Sequence, residues 1–526
     1  MQDNVLDKST RNLLLPDVNI SLGYLFFMRY NILIGGSAGQ GPNILANLIS
    51  RGLIEKGFFV FLSREYESRV RGGHNFNMIT FSEEPVHSNS QNIDLLIALD
   101  EHTEMIHQKN LNKTGILLRG SSNNIFYAGS IFKILDLNFK LLDDEIKKLK
   151  DYQQNLFHAT EGYNSEKRTF QLVVTKEKES IKFMNGNEAI SEGAILSGVE
   201  FYYGYPMTPA TGVLTELSQK QKEGNHLTVE LEGEIACINA AIGSSIVGAK
   251  AMVGTSGGGF DLMTESLSLA GMAEVPIIVY LSQRPGPATG LATYTGQGDL
   301  NIALHSGHGE FNRIVFAPGD PKEAIEKTSE IFYLTQKYKV PGILMSDKHL
   351  VESYYSFTGK PQIKSSEKSI KWPARYNSYE SDENKIATED SCIINKNVEN
   401  RIKVAKKLSE EAEKLTPFKI YGKKESENLI IGWGSTKGAI LDAIKEKDCK
   451  FLQVIYLEPF SDRIKEEIKK ARNIIIVENN GTSQLSALIA EKTGFIIEDK
   501  NKVLKYDGRP FLFEELSNEI ERRING

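Results

Sequence analysis

Glu230, Glu232 and Glu234 alternate in the stretch Glu-Leu-Glu-Gly-Glu-Ile-Ala, directly ahead of small apolar residues that run to Val247. A carboxylate at the mouth of an apolar helix is costly unless it has a partner, so one of these acids is expected to do chemistry. Capping or a solvated first turn is the alternative for Glu230 and Glu232. Upstream, Tyr205-Pro206-Met207-Thr208-Pro209 follows a strand-like run and precedes a helix starting near Ala210. The prolines fix the turn and would hold the Thr208 hydroxyl at a helix N-terminus, where an anionic substrate is favoured. Equally, Thr208 could cap the helix, with Pro209 as its first residue.

Two glycine-rich segments stand between a strand and a helix. Gly35-Gly36-Ser37-Ala38-Gly39-Gln40-Gly41 could bring peptide N–H groups close to a phosphate-bearing ligand, or could be a plain strand-to-helix turn. Its spacing is not a clean G-x-G-x-x-G and no Lys-Ser/Thr follows, which argues against simple dinucleotide or ATP binding. Thr255-Ser256-Gly257-Gly258-Gly259-Phe260 precedes a helix expected over 261–270 and could line a cofactor site. Between the two glycine segments, Arg64-Glu65-Tyr66-Glu67-Ser68-Arg69-Val70-Arg71-Gly72-Gly73-His74 is dense in charge. Its arginines could clamp a carboxylate or a partner surface, unless the stretch is a solvated loop.

The elements that must position these residues are read from apolar periodicity. Over 30–118 the pattern is strand, glycine loop, helix and further strands, the helix burying Ile44, Leu45, Leu48, Ile49 and Leu53. Over 186–346, strands expected at 200–203, 249–254, 275–281, 314–317 and 341–346 alternate with helices. Residues 356–399 are rich in Ser, Lys, Glu and Asn and read as a linker, followed by a charged helix over 398–415. Strands at 428–432, 451–456 and 473–477 then alternate with helices from Thr436 and Asp462. The expected fold class is α/β in three α/β domains, 28–178, 186–355 and 400–526, with 1–27 a disordered extension or an over-long translation start.

The bulk properties fit this division. At 526 residues a prior of about 100–200 per domain suggests about three domains. The net charge of −6, with acids and bases interspersed, provides no basic field for nucleic acid. The apolar run 20–28 falls short of the roughly 20 residues that span a bilayer, so a soluble, cytoplasmic protein is expected. The three cysteines, Cys237, Cys392 and Cys449, form no metal spacing, and an iron–sulfur cluster takes four thiolates, so none is expected in this chain.

In order along the chain, the glycine loop with Glu-Tyr-Glu-Ser-Arg-Val-Arg-Gly-Gly-His, then Tyr205–Pro209, Glu230–Ala236 and Thr255–Phe260 resemble the 2-oxoacid:ferredoxin oxidoreductase family, gamma domain fused ahead of alpha. Gln283–Leu291, Gly296–Leu300, Gly307–Phe311, Ala317–Asp320, Gly432–Lys437, Val477–Asn480 and Lys505–Phe511 extend the likeness, which covers 28–511. Departures are Met207 for isoleucine, Gly233 for an acid, Gly258 for proline, and Tyr294 where many relatives carry a basic residue.

The resemblance implies a gamma domain, a domain binding the pyrimidine half of thiamine diphosphate, and a transketolase C-terminal-like domain. It implies oxidative decarboxylation of a 2-oxoacid, 2-oxoglutarate or a broad range, giving acyl-coenzyme A, CO₂ and reduced ferredoxin. Glu234 would be the glutamate that activates the cofactor, with Tyr205, Pro206, Met207, Thr255, Ser256 and Gly257 around it. Thr208, Arg284 and Tyr294 would meet the substrate, while Gly35, Gly36, Gly39 and Gly41 are candidates for coenzyme A. No metal site is expected in this chain, Mg²⁺ and a [4Fe–4S] cluster belonging to a beta subunit. A heterodimer or a dimer of heterodimers would result, with no nucleic-acid or membrane partner. His308 is read as either a proton relay or a satisfied structural histidine. Rival readings are another thiamine-dependent dehydrogenase or transketolase-like enzyme, and a non-catalytic scaffold subunit.

Overall fold

A computed structural model describes residues 29–67, 73–121, 123–170, 172–174, 180–369 and 377–525. The expected extension 1–27, Arg69 and Arg71, and 370–376 of the expected linker lie outside the described residues. Three sheets organise the described residues, each built around apolar runs too continuous to face water on either side, as buried strands require.

The first sheet has the order β5-β4-β1-β3-β2-β13-β6. Its strands are β1 (Arg29–Ser37), β2 (Phe59–Glu65), β3 (His74–Ser82), β4 (Ile93–Ala98), β5 (Leu111–Leu118), β6 (Lys182–Asn185) and β13 (Tyr354–Phe357). β4 runs parallel to β1 and β5, whereas β3 is antiparallel to both β1 and β2. β6 and β13 come from far along the chain, and β13 pairs antiparallel with β2. The helix Pro42–Glu55 buries Leu45, Leu48, Ile49 and Leu53 as the spacing predicts, but Ile44 is 45% exposed. Ile44 stands in the first turn beside the glycine loop, ahead of the helix's packed stripe.

The second sheet has the order β17-β11-β12-β10-β9-β7-β8. It comprises β7 (Phe201–Gly204), β8 (Leu227–Glu230), β9 (Ala251–Thr255), β10 (Ile278–Gln283), β11 (Ile314–Phe316), β12 (Gly342–Asp347) and β17 (Tyr456–Glu458). All pairs are parallel except β11 with β17. The third sheet, β14-β16-β15-β18-β19, comprises β14 (Phe418–Gly422), β15 (Asn428–Trp433), β16 (Lys450–Val454), β18 (Asn473–Glu478) and β19 (Lys502–Leu504). One apolar core joins these two sheets, with Val253, Val279 and Ile343 of the second sharing it with Ile431, Trp433 and Leu452 of the third. The buried carboxylate of Glu323 reinforces the seam, meeting Lys419 at 2.9 Å and Lys437 at 2.6 Å. Those two ammonium groups hold its pKa well below the usual carboxylate range despite burial.

Helix ends depart from expectation in instructive places. The helix expected over 261–270 runs Gly257–Met272, so the glycines form its first turn instead of a preceding loop. The helix expected over 398–415 begins at Ser391, where the Asp390 carboxylate accepts from the backbone N–H groups of Cys392 and Ile393. Thr208 does not cap the helix after β7, which runs Thr211–Lys220 behind Ala210, and Pro209 is not its first residue. The Thr208–Pro209 peptide is cis.

Candidate functional site

The site lies where the C-terminal ends of β7, β8, β9 and β10 meet, the edge at which open parallel sheets bind ligands. Of the three alternating acids, Glu230 and Glu232 are exposed, while Glu234 is 5% exposed at the first residue of the helix Glu234–Ile246. Its Oε1 is buried and has no hydrogen-bond partner among the described residues. A Cβ placed on Gly259 would stand 2.6 Å from that oxygen and 2.1 Å from Thr255 Oγ1, so glycine at 259 lets the helix Gly257–Met272 close on the carboxylate. Thr255 Oγ1 in turn lies 4.0 Å from Met207 Sδ. Glu234, Thr255 and Met207 are thus one constellation drawn from three βα turns.

Beside it, Ser256 is fully buried and its Oγ has no partner among the described residues. Tyr205, at 41% exposure, presents its ring at the surface of the same turn; Pro206 is exposed too. Arg284, just past β10, donates through Nη1 to the Thr208 carbonyl at 2.7 Å, tying the turn after β7 to the end of β10. Burial lowers its pKa from the ordinary arginine value, with Asp299 acting in the opposite sense.

Two cavities flank this tie. One, of about 530 Å³, is lined by Ser256, Gly257, Asp261, Arg284 and Asp299 on one side and by Asn479, Asn480 and Thr482 of the third sheet's loop on the other. Gln297 holds the two sides together, donating through Nε2 to the Trp433 carbonyl at 2.9 Å and accepting the Asn479 backbone N–H at 2.9 Å. The other cavity, of about 370 Å³, lies between the first and second sheets and is lined by Asn43, Asn47, Arg64, Tyr66, Thr208 and Glu352 among others. Arg64 reaches it stacked on Tyr66, its guanidinium carbon 4.5 Å from the ring centroid.

Not every expected residue joins the constellation. Tyr294 packs against the C-terminal tail: the Arg509 guanidinium lies 4.0 Å over its ring. Gly35 and Gly36 are buried inside β1, where a Cβ would meet Thr103 at 2.5 Å or Gln40 and Leu99 at 2.7 and 2.8 Å; their smallness serves packing. Gly39 and Gly41 form the turn itself, with φ of 96° and 76°. His308 is exposed, and its backbone N–H donates to Ser268 Oγ at 2.9 Å. Sequence reasoning missed Asp299 and Asp261 as members of the Arg284 cavity, and the lining contributed by 479–482. The one local signal was an aspartate at the start of a short helix, which reads as an ordinary cap.

No helix among the described residues is long and apolar enough to cross a membrane. Residues 192–415 match the family described as pyruvate flavodoxin/ferredoxin oxidoreductase, thiamine diphosphate-binding, and residues 31–165 match pyruvate ferredoxin/flavodoxin oxidoreductase. The chain is 29% identical to the 2-oxoacid:ferredoxin oxidoreductase subunit alpha of a Sulfolobus species, over 94% of this chain and 97% of that one. It is 38% identical to the 2-oxoglutarate synthase subunit KorA of Methanocaldococcus jannaschii over 32% of this chain and 46% of that one. The solved structure of 2-oxoglutarate:ferredoxin oxidoreductase from Magnetococcus marinus superposes with a TM-score of 0.83 at 23% identity, covering 94% of this chain and 99% of that one. Two adjacent family matches in one order, and sequence likeness along nearly the whole length, place the chain in the 2-oxoacid:ferredoxin oxidoreductase family, as an alpha subunit with the gamma segment fused ahead of it.

Proposed function

We propose that this chain is the subunit of a 2-oxoacid:ferredoxin oxidoreductase that holds the pyrimidine half of thiamine diphosphate and presents Glu234 to it. The substrate is 2-oxoglutarate or a broader set of 2-oxoacids, and the products are acyl-coenzyme A, CO₂ and reduced ferredoxin. The observation that carries this reading is the buried, unpartnered Oε1 of Glu234 at the C-terminal edge of the second sheet. Leaving such an oxygen unsatisfied costs about 1–3 kcal/mol, which a ring nitrogen or amino group of an aminopyrimidine would recover. The residues therefore fit the cofactor.

When bound, thiamine diphosphate supplies the electron sink that loss of CO₂ from a 2-oxoacid requires. Glu234 holds a proton at the pyrimidine edge, in a position fixed by Gly259 and Thr255. Ser256 offers a hydroxyl to the same ligand. Thr208 and Arg284, joined through the Thr208 carbonyl, orient the substrate carboxylate. The diphosphate end, with Mg²⁺ and the [4Fe–4S] cluster, falls to a beta subunit, consistent with three cysteines in this chain against the four thiolates of a cluster. Ferredoxin and a heterodimer or dimer of heterodimers complete the assembly. Tyr205, Ile235 and Leu262 support a partner there, being exposed beside Glu234 and its turn at 41%, 55% and 52%.

Coenzyme A is assigned to the first sheet's side. The cavity between Asn43, Asn47 and Arg64 and the Thr208 turn connects the helix behind Gly39 and Gly41 with the substrate residues. The units 28–178, 186–355 and 400–526, with 356–399 between the last two, are proposed as the functional divisions, and the cytoplasm as the compartment.

Glu234→Gln tests the reading in the complex reconstituted with its beta subunit. The expected result is loss of 2-oxoacid-dependent viologen reduction by at least about 10²–10⁴-fold, with assembly intact by size-exclusion chromatography. Undiminished turnover would make the chain a scaffold, and turnover only with lipoamide or an aldose acceptor would move it to another thiamine enzyme class.

A further inference from the structure

The carboxyl of Asp299 occupies a position that its local sequence does not require. Asp299 is the residue before the helix Leu300–His305, where an aspartate side chain ordinarily accepts from the first backbone N–H groups, yet it makes no such bond. It turns instead toward the start of the helix Gly257–Met272: a Cβ on Gly257 would stand 2.7 Å from Asp299 Oδ2 and 3.0 Å from Oδ1. Oδ2 is buried and has no hydrogen-bond partner among the described residues. Its backbone is pinned, the N–H donating to Gln283 Oε1 at 3.0 Å, so the carboxyl is held where it is.

Asp299 lines the same cavity as Arg284, Asp261 and the fully buried, unpartnered hydroxyl of Ser256. The charged groups facing it are Asp261 from the helix Gly257–Met272 and Arg284 from the end of β10. From the segments that follow the third sheet's β18 and β19 the cavity receives Asn479, Asn480, Thr482, Gln484 and Tyr506. Among the described residues, one guanidinium therefore serves two carboxyls, neither within ion-pair distance of it. A third carboxylate, brought by a substrate, would enter a cavity where two carboxyls already face one guanidinium among the described residues.

We propose that Asp299 is a proton-accepting carboxyl of this substrate site: it carries a proton while the carboxylate of a 2-oxoacid occupies the Arg284 cavity, so that substrate binding takes up a proton from solvent. This rests on the reading of the cavity as the 2-oxoacid site. In the free chain, burial and the Asp261 charge push Asp299 up to about 6, against the pull of Arg284. An approaching anion moves it further in the same direction. Above that pH the ionised Asp299 competes with the substrate for Arg284, and below it the protonated carboxyl is a hydrogen-bond donor.

The test uses the complex with its beta subunit. Calorimetric titration of the wild-type complex with 2-oxoglutarate or pyruvate at pH 7, without coenzyme A and in buffers of different ionisation enthalpy, is expected to show uptake approaching one proton per site. The wild-type KM is expected to rise up to about tenfold per pH unit above about pH 6. Asp299→Asn, which keeps a neutral donor, is expected to flatten that rise, with the effect on KM larger than on kcat. Viologen reduction with no proton uptake, or an Asp299→Asn profile as steep as wild type, overturns this inference and leaves the family reading intact. Absence of turnover with every 2-oxoacid overturns both.

Discussion

The molecule contains two glycine-rich turns from a strand into a helix, and they are chemically unlike. After β1, Ser37 N–H donates to Gln40 Oε1 at 2.7 Å, Gln40 Nε2 to the Leu99 carbonyl at 3.0 Å, and Ser37 Oγ to Asp100 at 2.7 Å. The polar groups of that turn serve one another. After β9, Ser256 Oγ is unpartnered, as are the carboxylate oxygens on either side, Glu234 Oε1 and Asp299 Oδ2. Each such group costs about 1–3 kcal/mol, and native folds keep few of them without a use. Glycine content is therefore no guide to where chemistry occurs; unspent hydrogen-bonding capacity is.

Substitutions in the two turns should separate them. The largest effect is expected from Gly259→Ala, whose Cβ would stand 2.1 Å from Thr255 Oγ1 and 2.6 Å from Glu234 Oε1. Displacing that carboxylate by an ångström should cost about 10²-fold in kcat, read by viologen reduction, with the complex still assembled. In the first turn, Gly41→Ala combines φ of 76° with a Cβ 2.3 Å from Asn124 Nδ2, and should lower stability by about 1–3 kcal/mol in urea unfolding. Gly39→Ala, at φ of 96° with open space around its Cβ, should cost only backbone strain of about 1–2 kcal/mol. If both variants leave the KM for coenzyme A unchanged, the first turn is architecture alone and the coenzyme A assignment fails; a rise in KM makes the two turns partners in one reaction.

Much of this contrast was legible in the residues, and the illegible part has a physical reason. The parallel strands of the second and third sheets announce themselves as apolar runs, because burial on both faces leaves no place for polar alternation. The place of Glu234 at the mouth of an apolar helix was legible too, and the structure shows it buried there. β6, β13 and β17 were not: at Lys182–Asn185, Tyr354–Phe357 and Tyr456–Glu458 they are too short for a period, and only distant pairing makes them strands. The helical start at Gly257 was hidden because glycine has poor helix propensity, a penalty outweighed where Asp299 and Glu234 press so close that no side chain fits. Asp299 itself lay in a quoted segment, but its isolation from partners depends on a contact made 42 positions away, between 257 and 299. Similarly, Ile44 follows the helical spacing yet is 45% exposed, since its surroundings are set by the glycine loop.

The smallest expected effect concerns a buried group near the first turn that is not fully satisfied. His74, opposite Ser37 in the β1–β3 ladder, meets His107 with their Nε2 atoms 2.8 Å apart, and its Nδ1 has no partner among the described residues. Burial, with His74 beside it, lowers His107 from 6.5 to about 4, and burial with His102 nearby lowers His74 as well. Both imidazoles are thus neutral at pH 7, one donating and the other accepting. In the unfolded chain they bind protons below pH 6.5 that the folded pair refuses, so stability is full above 6.5 and falls as the pH drops toward about 4. His107→Gln, which can still donate to or accept from His74 but does not titrate, should make that acid loss shallower. Hydrogen exchange of the β3 amides at pH 5 and pH 7 measures it: wild type should lose more protection on acidification than the variant, while the β9 amides behave alike in both. Equal acid loss in the β3 amides of both proteins would show that the pair is not what makes the first turn's surroundings sensitive to acid.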